Sequence, residues 1–102
     1  MFLWVDDIRK PPSDKYIWVQ STNQAVATIY ETMRNHPDEQ IVIDLDHDAG
    51  VFSRHGGDYI GILCWMETKG IDNIVIHLHT MNPVGRENMR RIIQHNGWKQ
   101  IY

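Results

Sequence analysis

Three apolar runs of this 102-residue chain end in acidic or imidazole residues, and those ends hold most of its capacity for chemistry. Phe2-Leu3-Trp4-Val5 runs into Asp6-Asp7. Ile41-Val42-Ile43 runs into Asp44-Leu45-Asp46-His47-Asp48, and Ile74-Val75-Ile76 into His77-Leu78-His79-Thr80-Met81-Asn82. Carboxylates gathered in one crevice repel and raise one another's pKa values unless a proton or cation joins them. A divalent cation is the economical answer, and oxygen ligands from Asp6, Asp7, Asp44, Asp46 and Asp48 suit Mg2+, Mn2+ or Ca2+. One aspartate pair arises easily by chance, and carboxylates after strands often cap helices or accept loop hydrogen bonds. Five carboxylates and a histidine on two strand ends carry the argument together.

Familiar motifs built from these residue types do not fit. Asp44-x-Asp46-x-Asp48 resembles the start of a calcium loop, but the glycine due at the sixth place is Ala49 and the glutamate due at the twelfth is His55. His47-Asp48 follows a strand, whereas the His-Asp phosphohydrolases are helical. Two-histidine phosphoesterases need Thr or Ser two places after each histidine, and His77 and His79 are followed there by His79 and Met81.

Strand alternation sends His77 and His79 to one face, with His79 nearer the strand end; His79 reads as the site residue and His77 as a core histidine. Thr80, Asn82 and the N-terminus of a helix opening at Pro83 offer donors to a phosphate oxygen, with an Asn-Pro capping turn as the plainer alternative. Arg54 and Gly57 lie where a glycine-bearing loop lets backbone and guanidinium approach an anion; a surface loop is the simpler explanation. Arg9 follows the first acidic pair and suits either a salt bridge or a phosphate contact.

These residues need a sheet to bring them together. Phe2–Val5, Ile17–Val19, Ile41–Leu45, Ile74–Leu78 and Trp98–Tyr102 read as strands. Helical spacing and capping types predict helices over Asn23–Asn35, Asp58–Lys69 and Pro83–Asn96, the last two stopped by Gly70 and Gly97. Near-continuous apolar strands alternating with helices imply a single α/β domain over residues 1–102: a mainly parallel five-stranded sheet with helices on both faces, in three α/β/α layers. Pro11 and Pro12 forbid a crossover helix in the first connection. Ligands of open α/β sheets bind beyond the carboxyl ends of the strands, where the polar bursts fall.

Composition narrows the function classes. Hydrophobic residues are 42% and charged residues 23%, the balance of a folded globular chain. The longest apolar run is too short to span a bilayer, and the cytoplasm is the expected location. A net charge of −3 gives no bulk attraction for duplex DNA. Cys64, the only cysteine, sits in an apolar context and reads as a buried thiol. Trp18, Trp65 and Trp98 read as core and Trp4 as partly exposed.

The first strand ending in Asp6-Asp7 and the acidic end of a central strand resemble the receiver domain of response regulators, a flavodoxin-like fold. More closely, Val5–Pro12, Asp44–Asp48, Gly57-Asp58-Tyr59 and His79–Met89 resemble the receiver-like group called cyclic-phosphate processing receiver domains. The resemblance implies Asp6 and Asp7 as ligands of Mg2+, and Asp44 or Asp46 as the central carboxylate. It leaves two departures: the lysine after the last receiver strand has no counterpart, and a Pro-Pro loop stands in place of the first crossover helix. The resulting expectation is metal-assisted processing of a phosphorylated small molecule, cyclic nucleotide or RNA end, with Asp44, His47 and His79 as catalytic groups. Sequestration of a nucleotide signal and a degenerate receiver serving protein interaction are the rivals.

Overall fold

A computed structural model of the chain describes residues 1–101. Five strands, β1 (Phe2–Val5), β2 (Tyr16–Val19), β3 (Ile41–Leu45), β4 (Ile74–Leu78) and β5 (Lys99–Ile101), form one parallel sheet in the order β2-β1-β3-β4-β5. Three helices connect them: α1 (Thr22–Asn35), α2 (Ile60–Thr68) and α3 (Pro83–Asn96). The α/β class expected from the alternation is therefore present, in the receiver-like form that the resemblance implies. The fifth strand begins one residue later than expected, and Tyr102 lies outside the described residues.

Local chemistry sets the helix ends. Ser21 caps α1 by accepting the Gln24 N–H at 3.0 Å, and Asn82 caps α3 by accepting the Gly85 N–H at 3.0 Å. Pro83 occupies the first turn of α3, and Gly97 ends it in the left-handed region at φ 69°. α2 starts two residues after Asp58, because that side chain accepts the Ala49 N–H at 3.0 Å.

The layers differ from expectation. The crossovers β2 to β3, β3 to β4 and β4 to β5 all step the same way across the sheet, and right-handed crossovers stepping one way place their helices on one face. Ala25 and Ile29 of α1, Leu63 and Met66 of α2, and Met89 and Ile93 of α3 accordingly share one core with Leu3, Val5, Ile43 and Ile76. Helices on both faces, and thus three layers, are corrected to one helical layer over one sheet. Only β1 to β2 steps the other way, and residues 6–15 make that step without a helix.

The second face carries Phe2, Trp4, Tyr16, Trp18, Val42, Asp44, Val75 and His77 by alternation. Two indoles are tied to the residue 6–15 connection: Trp4 Nε1 donates to Arg9 O and Trp18 Nε1 to Asp6 O, both at 2.8 Å. Trp4 is consequently buried rather than partly exposed, while Trp18 and Trp65 are only half-buried. Trp98 is core, as expected. Cys64 is exposed, on the outer side of α2, which corrects the buried thiol. Among the described residues no helix is long and apolar enough to cross a membrane.

Candidate functional site

The β1–β3 ladder pairs Val5 with Leu45, so Asp6 and Asp46 emerge side by side, and the Asp46 N–H donates to Val5 O at 3.0 Å. One carboxylate oxygen from each of Asp6, Asp7 and Asp46 falls within 4.8 Å of the others. Asp6 is 1% exposed. Its Oδ1 accepts the N–H groups of Ile8 and Arg9 at 2.9 and 2.8 Å, which turns the chain out of β1. Burial opposes the Asp6 charge, but those two hydrogen bonds, with His79, overcome it and hold its pKa below the usual carboxylate range.

Asp7 is shifted the other way. Burial, then the charges of Asp6 and Asp46, hold its carboxyl above the usual range. Gly50, at φ +56°, explains how the loop after β3 closes on Asp7: a Cβ there would fall 2.4 Å from Asp7 Oδ2. Beneath the group lies Tyr59, fully buried, with its hydroxyl donating to Gln20 O at 2.7 Å. Burial and the charges of Asp7, Asp6, Asp46 and Asp58 push that phenol's pKa up, so it stays a donor.

Asp44 does not join this group. It stands one ladder step inside the sheet, opposite His77, and binds both histidines of β4's end. Asp44 Oδ1 is 3.0 Å from His77 Nδ1 and 2.5 Å from His79 Nδ1. The remaining nitrogen of His79, Nε2, is 2.9 Å from Asp6 Oδ2. Two carboxylate oxygens facing the two ring nitrogens favour the doubly protonated imidazole at His79. Burial works against that charge, but the hydrogen bonds and charges of Asp44 and Asp6 outweigh it and raise the His79 pKa. Its ring stacks on the Trp4 indole, centroids 4.1 Å apart and planes 4° apart. His77, expected in the core, has a side chain 35% exposed, against 9% for His79.

His47 and Asp48 form a separate pair, Nδ1 to Oδ1 at 2.8 Å. With Asp58 they make a second group whose ligand atoms lie within 4.8 Å of one another. The His47 ring lies against the first turn of α3, where a Cβ on Gly85 would come within 2.5 Å of it. Asp48 and Asp44 are thus both placed apart from the Asp6–Asp7–Asp46 group.

The remaining expected residues are placed less closely to the carboxylates. Thr80 is buried and its hydroxyl accepts the Asn82 N–H at 3.1 Å, while the Asn82 side-chain oxygen is spent on its cap. Arg9 serves through its backbone, and its side chain is exposed. Arg54 is exposed at the end of a 3-10 helix, Gly50–Arg54. The Gly57 carbonyl accepts the Thr22 hydroxyl at 3.2 Å, tying that loop to α1. Beyond the ends of β4 and β5 a cleft of about 840 Å3 opens, lined by His77, His79, Arg86 and Gln100 among others. Arg86 was not singled out from sequence; its signal is its place on the first turns of α3, directly after the His79-Thr80 strand end.

A parallel sheet in this strand order, with paired carboxylates beyond β1 and another beyond β3, defines a receiver-like domain. Residues 1–95 match the sequence model of the cyclic-phosphate processing receiver domain, and the chain belongs to that family. No significant match to a curated protein or to a solved structure was found.

Proposed function

We propose that this protein processes a phosphate ester, a cyclic phosphate or nucleotide, at the strand ends with the help of a divalent cation. The observation that carries this reading is the convergence of Asp6, Asp7 and Asp46 to within 4.8 Å. An all-oxygen donor set of that kind fits Mg2+ or Mn2+, and an Asp7 carboxyl held above its usual range by burial and then by the charges of Asp6 and Asp46 is what a cation would relieve. A bound cation would supply charge neutralisation and polarisation at a phosphoryl oxygen.

The chain's own groups divide the remaining work. His79, with both nitrogens committed, positions Asp6 and Asp44 and adds positive charge beside them. His47 has Nδ1 oriented by Asp48, which leaves Nε2 to give or take a proton at an ester oxygen. Tyr59 supports the acidic group from below.

The test is a single-turnover assay with RNA ending in a 2′,3′-cyclic phosphate and with cyclic nucleotides, in Mn2+ or Mg2+, with Asp46→Asn as control. Product that depends on the cation and on Asp46 supports the reading. Ligand recovered intact from the complex moves the function to nucleotide sequestration.

A further inference from the structure

The cleft beyond β4 and β5 differs in chemistry from the carboxylate group it adjoins, and His79 is the wall the two share. Its volume of about 840 Å3 lies within the roughly 300–1,000 Å3 typical of small-molecule sites. Arg86 gives one N–H to Thr80 O at 2.6 Å, which fixes the guanidinium on the wall and leaves its other N–H groups for a ligand. It has no carboxylate partner among the described residues, whereas Glu87, which also lines the cleft, is paired with Arg90 at 2.9 Å. His77 turns Nδ1 to Asp44, so Nε2 is the nitrogen left for the cleft. At the β5 end, the Gln100 Oε1 is enclosed and without a hydrogen-bond partner among the described residues. Rotation of that amide offers a donor-acceptor pair to a ligand N–H or hydroxyl.

We infer that this cleft binds a free nucleotide of mononucleotide size, its phosphate held by Arg86, a sugar hydroxyl donating to His77 Nε2, and its base running toward Gln100 and Ile101. The inference rests on the phosphate chemistry proposed above and names its substrate class. A long RNA is disfavoured by charge: the chain carries a net −3, and a polymer needs a basic track beyond its terminal phosphate. Ile101, 41% exposed, and Met81, 79% exposed, give a base apolar edges at the rim.

The experiment is a calorimetric and 1H–15N NMR titration of the full chain with adenosine 2′,3′-cyclic phosphate, with adenosine alone, and with a decanucleotide ending in the same cyclic phosphate, all without divalent cation. The mononucleotide is expected to shift His77, Arg86 and Gln100 signals. Arg86→Ala is expected to weaken its binding about tenfold or more, the loss of one charge-assisted contact. Ile101→Trp, at an exposed position, narrows the cleft and is expected to weaken binding with the NMR fold signature intact. Asp46→Asn is expected to keep this binding, which separates failure of the cleft from failure of the metal-assisted reaction. Wild-type affinity in both Arg86→Ala and Ile101→Trp, or shifts confined to the residues around Asp6 and Asp46, overturns the inference. Tighter binding of the decanucleotide than of the mononucleotide overturns the choice of a small nucleotide.

Discussion

The His79 ring lies flat on the Trp4 indole, 4.1 Å away and within 4° of parallel, while each of its nitrogens faces an aspartate. An imidazolium on an aromatic face gains from the ring quadrupole as well as from its carboxylates. The arrangement joins β1, β3 and β4 at their ends through one side chain.

His79→Gln removes that charge and leaves Asp6 and Asp44 buried without it. Losing one partner of a buried pair typically costs about 3–5 kcal/mol. Urea unfolding should show a clearly lower midpoint at pH 6; an unchanged midpoint would mean that the cross-link contributes nothing to stability.

The same network predicts a pH window. The folded His79 pKa is raised above 6.5, so its contribution is full below pH 6.5 and is lost as pH climbs through the raised value. The folded Asp6 pKa is lowered below 3.8, so its contribution is present above pH 3.8 and is lost as pH falls through the lowered value. Both contributions are therefore in full force between those limits, and the alkaline limb of melting temperature against pH should flatten in His79→Gln.

Asp7, with its raised pKa, pulls the other way and costs stability once ionised. Mn2+ or Mg2+ should offset that cost by binding the folded state, by about 2.7 kcal/mol at a hundredfold excess over Kd. Thermal shift at pH 7 should rise with Mn2+ in the wild type and stay flat in Asp46→Asn. Equal shifts in both proteins would place the cation elsewhere.

Two glycines separate strain from site geometry. Both Gly50→Ala and Gly57→Ala place an alanine at positive φ, costing about 1–2 kcal/mol. Only the first also drives a Cβ into Asp7 Oδ2, since nothing lies within 4 Å of a Cβ at Gly57. Mn2+ affinity measured by calorimetry should fall in Gly50→Ala and hold in Gly57→Ala.

Much of this was legible in the sequence, and the failures share a cause. Ser21, Asn82, Pro83 and Gly97 act within a few residues of themselves, so the ends they set could be read locally. The layer count could not. Trp4, Val42 and Val75 make their strands apolar on both sides, which reads as burial beneath helices, yet Trp4 is shielded by its neighbours Tyr16 and His79 and by its tie to Arg9. The carboxylate cluster was visible as composition, but not which partner each aspartate takes. That depends on register: Asp44 meets His77 only because Ile43 aligns with Ile76. Alternation gives His77 a face but not what covers it, so its partial exposure has no signal in the sequence.

The all-parallel sheet also governs how the chain reaches this state. Among the described residues no two strands are joined as a hairpin, so every pairing closes a loop before it gains a single ladder hydrogen bond. β1 sits between β2 and β3, and its register with β3 joins Phe2 to Val42. Asp6 and Asp46 therefore come together only through the pairing of β1 with β3, across some forty residues of intervening chain. The metal-binding candidate is in this sense a product of non-local pairing, assembled by the same contact that closes the centre of the sheet.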